Sequence, residues 1–170
     1  MNDAPYKSAD HALHSRFNLV ARPIIKNASI TAVMTGGSPP PGTLTAQEKH
    51  AQAALVVGYC HRLPDLYRYY IWARYSGGEE RIAALQGLTL YALVGYALGQ
   101  SSFQAYRMIV DQYFSRRKTA IRPIRKHLEV GWDEALAKRR TAFVRLDGIH
   151  DQTMSTVTRH MEDKGLIRQI

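Results

Sequence analysis

The sequence predicts an all-α protein, on three observations. Beyond residue 44, no segment alternates apolar and polar side chains for long enough to make a strand. Successive segments instead repeat apolar residues at three-and-four spacing, which puts them on one face of a helix. Helix stops and starts stand between these segments: Leu63-Pro64-Asp65, Gly77-Gly78, and Gly99 followed by Ser101 and Ser102. The expected architecture is a helical bundle that contains a helix-turn-helix and a long C-terminal helix, with a flexible N-terminal arm.

Residues 1–44 form that expected arm or linker. They include the turn-rich run Gly36-Gly37-Ser38-Pro39-Pro40-Pro41-Gly42 and no sustained apolar periodicity. Ile24, Ile25, Ile30 and Val33 could form a short docking strand, but a mobile tail is the simpler reading. Residues 45–170 are the expected helical DNA-binding domain. A chain of 170 residues that is 45% apolar buries one modest core. No run of eighteen apolar residues appears, so no membrane span is expected. With no secretory pattern at the N-terminus and Cys60 as its one cysteine, the chain reads as a cytoplasmic protein without disulfides.

Thr45-Ala46-Gln47-Glu48 fits a capping box, which starts a helix expected to run to about Arg62. Pro64 breaks it, and Asp65 suits the start of a second helix whose inner face is Leu66, Tyr69, Tyr70, Ala73 and Tyr75. Glu79 and Glu80 favour the positive end of a third helix. Ile82, Leu85, Leu88, Leu90, Tyr91, Leu93, Val94 and Leu98 make it apolar nearly all round, so it is expected to be the most buried, with Gly87 and Gly95 allowing close approach. Phe103, Tyr106, Ile109, Val110 and Tyr113 then follow helical spacing. The tyrosines from Tyr67 to Tyr106 read as core and rim packing, not as a base-stacking platform.

Charge is concentrated between residues 114 and 145, where ten Lys and Arg face three carboxylates: a local net of +7 out of +9 for the chain. Such a surface suits a polyanion. Within it, about residues 119–146, Ile121, Ile124 and Leu128 mark one short helix, with Pro123 in its first turn. Val130 can fill the gap to a second helix opened by Trp132-Asp133-Glu134, in which Ala135 allows a close crossing. That is a helix-turn-helix. Trp132, Asp133, Lys138 and Arg139 are its candidate groove-facing residues, and Arg116, Arg117, Lys118, Arg122, Arg125, Lys126 and Arg140 its candidate DNA-backbone contacts. Two positions depart from the usual pattern. Arg125 stands where a small residue normally lets the helices touch, and Glu129 where glycine takes the left-handed turn, so the turn is expected to reshape around Gly131. The alternative is a solvated basic hairpin without DNA contact. The second helix continues through Leu136, Phe143, Leu146, Ile149, Thr153, Val157 and Met161 to about Lys164, with Gly165 to cap it and Gly148 as a place to kink. So long a stripe must pack back on the bundle or pair with another chain.

No chemistry of an enzyme is visible. Cys60 and His61 are adjacent and the other histidines scattered, so no metal is expected, and there is no phosphate loop, nucleophile elbow or acidic cluster. No cofactor follows.

The order of three motifs carries a resemblance: Leu-Pro-Asp-Leu-Tyr-Arg-Tyr-Tyr-Ile-Trp-Ala-Arg-Tyr, then Ile-Arg-Pro-Ile-Arg-Lys-His-Leu-Glu-Val-Gly-Trp, then a long basic helix ending Met-Glu-Asp-Lys-Gly-Leu-Ile. Over about residues 48–167 the chain resembles the phage late-gene antitermination protein Q family, in its small type without a zinc finger. The resemblance implies a transcription regulator that binds double-stranded DNA near a late promoter and loads onto a paused bacterial RNA polymerase holding its sigma factor. It further implies suppression of termination by narrowing of the RNA exit channel. Contact with nascent RNA and a homodimer on DNA are compatible with it. Two other readings share the same DNA-binding element: a repressor or sigma-like regulator, and a small terminase or packaging subunit.

Overall fold

The computed structural model describes residues 5–20, 46–93, 100–115 and 120–167. These residues form seven α-helices: α1 Ala9–Val20, α2 Ala46–His61, α3 Asp65–Tyr75, α4 Gly78–Leu93, α5 Gln100–Ser115, α6 Ile121–Leu128 and α7 Trp132–Asp163. The fold is an all-α bundle. Its core runs through every helix, with Leu13, Tyr70, Ile71, Leu88, Tyr106, Ile109, Ile124, Leu146, Val157 and Met161 wholly buried. Among the described residues no helix is long and apolar enough to cross a membrane.

The N-terminal reading needs correction. Residues 6–20 are not an arm but part of the core. Ser8 caps α1 by accepting from His11 N–H at 3.2 Å. Ala9, Ala12, Leu13, Arg16 and Phe17 then share one buried face at three-and-four spacing. Arg16 is buried because its guanidinium donates to the Lys49 carbonyl and to Gln52 Oε1, each at 2.7 Å, and lies 4.7 Å from the Tyr6 ring centroid. Tyr6 N–H donates to the Leu166 carbonyl at 3.1 Å, and Tyr6 and Ile167 form a parallel bridge. The expectation for Ile24 to Val33 and the Thr45 cap lie outside the described residues.

α3 starts and stops where Pro64 and the glycine pair predict, but its buried set adds Ile71 and Trp72 to the tyrosine face. Gly87 allows α4 to meet α3 closely: a Cβ there would stand 2.7 Å from the Tyr69 ring. α4 is not the most buried helix, because Ile82, Leu90 and Tyr91 face outward. It packs against α3 and α5 on one side, where Ala84, Leu85, Leu88 and Thr89 are buried. In α5, Tyr106, Ile109 and Val110 are buried as expected, whereas Phe103 and Tyr113 are half-buried.

Polar links join the layers. Tyr75 OH donates to Asp10 at 2.6 Å, Tyr113 OH to Asp147 at 2.7 Å, and Tyr70 OH lies 2.9 Å from His150 Nδ1. α7 runs unbroken through Gly148 for 32 residues, about 48 Å at 1.5 Å per residue. It packs back on the chain's own bundle through Leu146, Ile149, Thr153, Val157 and Met161. Gly165, at φ 65°, turns the chain just after it.

Candidate nucleic-acid interface

α6 is held to the bundle by buried Ile121 and Ile124, while half-buried Leu128 and Val130 pack against the same core. Pro123 falls in its first turn, where its missing N–H leaves no hydrogen bond unmade. Arg125 is exposed, so it does not stand between the helices. The tight fit is made by Ile124 and by Ala135 of α7, both fully buried.

The turn does not reshape around Gly131. Glu129 itself takes the left-handed conformation, φ 56° and ψ 39°, with its N–H donating to the Arg125 carbonyl. Gly131 is extended, φ −66° and ψ 169°, and precedes α7 as its N-cap. The left-handed conformation of Glu129 costs an L-residue roughly 1 kcal/mol. Asp133 and Glu134 occupy the first turn of α7, next to the positive end of its dipole.

The phase of α7 follows from its buried residues. Ala135, Ala142, Leu146 and Ile149 point inward, which turns Asp133, Ala137, Arg140, Thr141 and Val144 to solvent. Lys138 and Arg139 lie on the two flanks of the buried stripe and are half-buried; Lys138 also pairs with Glu134 one turn back at 3.3 Å. They do not face straight outward, as expected, whereas Arg140 does. Trp132 is half exposed at the head of the helix. Arg122, Arg125 and Lys126 are exposed on α6. Among the described residues, no ion pair involves these three or Arg140. Arg116, Arg117 and Lys118 lie outside the described residues.

The structure therefore brings together two short rows: Arg122, Arg125 and Lys126 on α6, and Trp132, Asp133, Ala137, Arg140 and Thr141 on the first turns of α7. Ala137, Thr141 and Val144 were not among the sequence candidates. Their signal is the alanine pair Ala135 and Ala142, which extends the inward stripe backwards from Leu146 and fixes the helix phase. The arrangement offers mobile cations for phosphate oxygens and a protruding helix start with both polar and apolar side chains for base edges. No protein-family model matches the chain, and no curated protein is found to match it.

Proposed function

We propose that the protein binds double-stranded DNA through α6 and α7 and serves as a phage-type transcription antitermination factor on a paused RNA polymerase. The observation that carries the DNA reading is the outward row of α7, Asp133 to Thr141, together with Arg122, Arg125, Lys126 and Arg140, which have no carboxylate partner among the described residues. In this reading Arg140 and Thr141 address base edges, with Lys138, Arg139, Arg122, Arg125 and Lys126 on phosphates. The antitermination role rests on the motif resemblance over residues 48–167. The apolar stripe of α7 is spent within the chain, which favours a regulator over a packaging ring held together by that helix.

Two measurements test the two parts separately. The first is fluorescence anisotropy with duplex DNA at several salt concentrations. Replacing Arg122, Arg125 and Lys126 together by alanine lowers the slope of log affinity against log salt by about 2–3, at roughly 0.9 per phosphate contact. Arg140→Ala reduces sequence discrimination instead. An unchanged slope rules out this interface. The second is transcription by purified polymerase through a terminator: read-through that does not rise with added protein rules out antitermination, whatever the DNA result.

A further inference from the structure

The end of α7 remote from the helix-turn-helix carries a second recognition surface. α2 is apolar on two sides. Ala53, Val56 and Cys60 enter the core, while Leu55, Tyr59 and Arg62, spaced by four and three residues, line one wall of a groove of ≈ 410 Å³. The opposite wall is the last turn of α7 and the chain just after it, with His160, Lys164 and Leu166.

Two features set this groove apart from ordinary surface. Leu55 is 74% exposed, the most exposed large apolar side chain among the described residues. Tyr59 and His160 stack face to face between the walls, centroids 3.4 Å apart and planes within 3° of parallel. Burial holds the His160 imidazole below its usual pKa; Lys164 and Arg62 act in the same direction and Asp163 against it. Cations stand on both walls, Arg62 on one and Lys164 on the other, and no carboxylate is among the groove's described lining residues; Asp163 lies on the far side of the same two rings.

We propose that this groove receives an amphipathic helix of a partner protein whose apolar face is bordered by carboxylates. Its apolar side chains would cover Leu55 and the Tyr59–His160 stack, and its carboxylates would meet Arg62 and Lys164. The charge pattern selects this occupant over the chain's own segments: residues 21–45 contain Arg22 and Lys26 and no Asp or Glu, and a second copy brings a net charge of +9. An apolar lip such as Leu55 also suits a protein better than a phosphate backbone. The inference is independent of the DNA reading.

The test uses the full chain with methyl-labelled leucine, followed by NMR. The probe is a synthetic amphipathic helix with leucines at i, i+3, i+4 and i+7 and glutamates on both borders. The expected result is saturable movement of the Leu55 and Leu166 methyl signals. Leu55→Asp weakens binding about tenfold; because the residue is exposed, the fold survives. Arg62→Glu with Lys164→Glu transfers the preference to the same peptide carrying lysines in place of glutamates. The proposal is overturned by unmoved Leu55 methyls, by equal binding of the glutamate and lysine peptides to the unaltered protein, or by displacement of the peptide by single-stranded RNA.

Discussion

Glu129 is the one non-glycine residue among those described with a positive φ, and it sits at the turn on which the helix-turn-helix depends. A glycine there removes the steric cost of the left-handed region, less the entropy that glycine adds to the unfolded chain. Glu129→Gly is expected to stabilise the protein by at most about 0.5 kcal/mol, read as a slightly higher urea midpoint. Its side chain is exposed, so the fold is unchanged. Cys60 is the opposite kind of residue, with no exposed surface. Burial pushes its thiol up to about 12, so almost no thiolate is present at neutral pH. Cys60 is expected to resist iodoacetamide in the native protein and to react once urea unfolds it; labelling at equal rates in both states would contradict the packing described for α2.

At the scale of the element, α1 and α4 teach the most, because both were misjudged from apolar composition. The inward face of α1 consists of two alanines, an arginine, a leucine and a phenylalanine, so its spacing was present in the sequence but its hydrophobicity was weak. Arg16 reads as a solvent residue until the Lys49 carbonyl and Gln52 that accept from its two terminal nitrogens are seen. α4 errs in the other direction: it is apolar nearly all round, yet sequence cannot say which stripe is covered, and Ile82, Leu90 and Tyr91 stay largely exposed, Tyr91 with one contact to the Tyr69 ring. α7 was readable in length, stripe and stop, since long, strongly periodic segments carry their own signal. Its phase was not: Lys138, Arg139 and Arg140 are all expected outward from the sequence, and the burial of Ala135 and Ala142 leaves Arg140 outward and sets Lys138 and Arg139 on the flanks of the stripe. If α1 is core, Leu13→Ala costs about 2–5 kcal/mol in chemical denaturation, whereas in a tail it would cost nothing.

The junction of α1 with α3 adds a pH dependence. Burial opposes ionisation of Asp10, but the Tyr75 hydroxyl that donates to it, with the charges of Arg74 and His14, outweighs burial and holds the carboxyl below its usual 3.8. A depressed folded-state value means that the link stabilises the protein above the unfolded pKa and is lost as pH falls through the folded one. Urea midpoints measured between about pH 5 and pH 2 should therefore fall less steeply in Asp10→Asn than in the unaltered protein. Parallel curves would assign the acid sensitivity elsewhere.

Over the whole molecule, charge and packing are divided. Residues 114–145 carry a net +7 of the chain's +9, which leaves the rest of the bundle close to neutral. One unbroken helix spans both regions, with Asp133 near one end and His160 near the other, about 40 Å apart at 1.5 Å per residue. The remote end is closed by the Tyr6 amide, which donates to the carbonyl of Leu166, the residue that forms part of the groove wall. That single bond makes the N-terminal segment a reporter on the groove. Any ligand that favours the closed wall disfavours opening of the clasp, since binding to one state shifts the equilibrium away from the other. Deuterium would then enter the Tyr6 amide more slowly when the groove is filled, although Tyr6 stands more than 150 residues before His160, Lys164 and Leu166 of that wall in sequence.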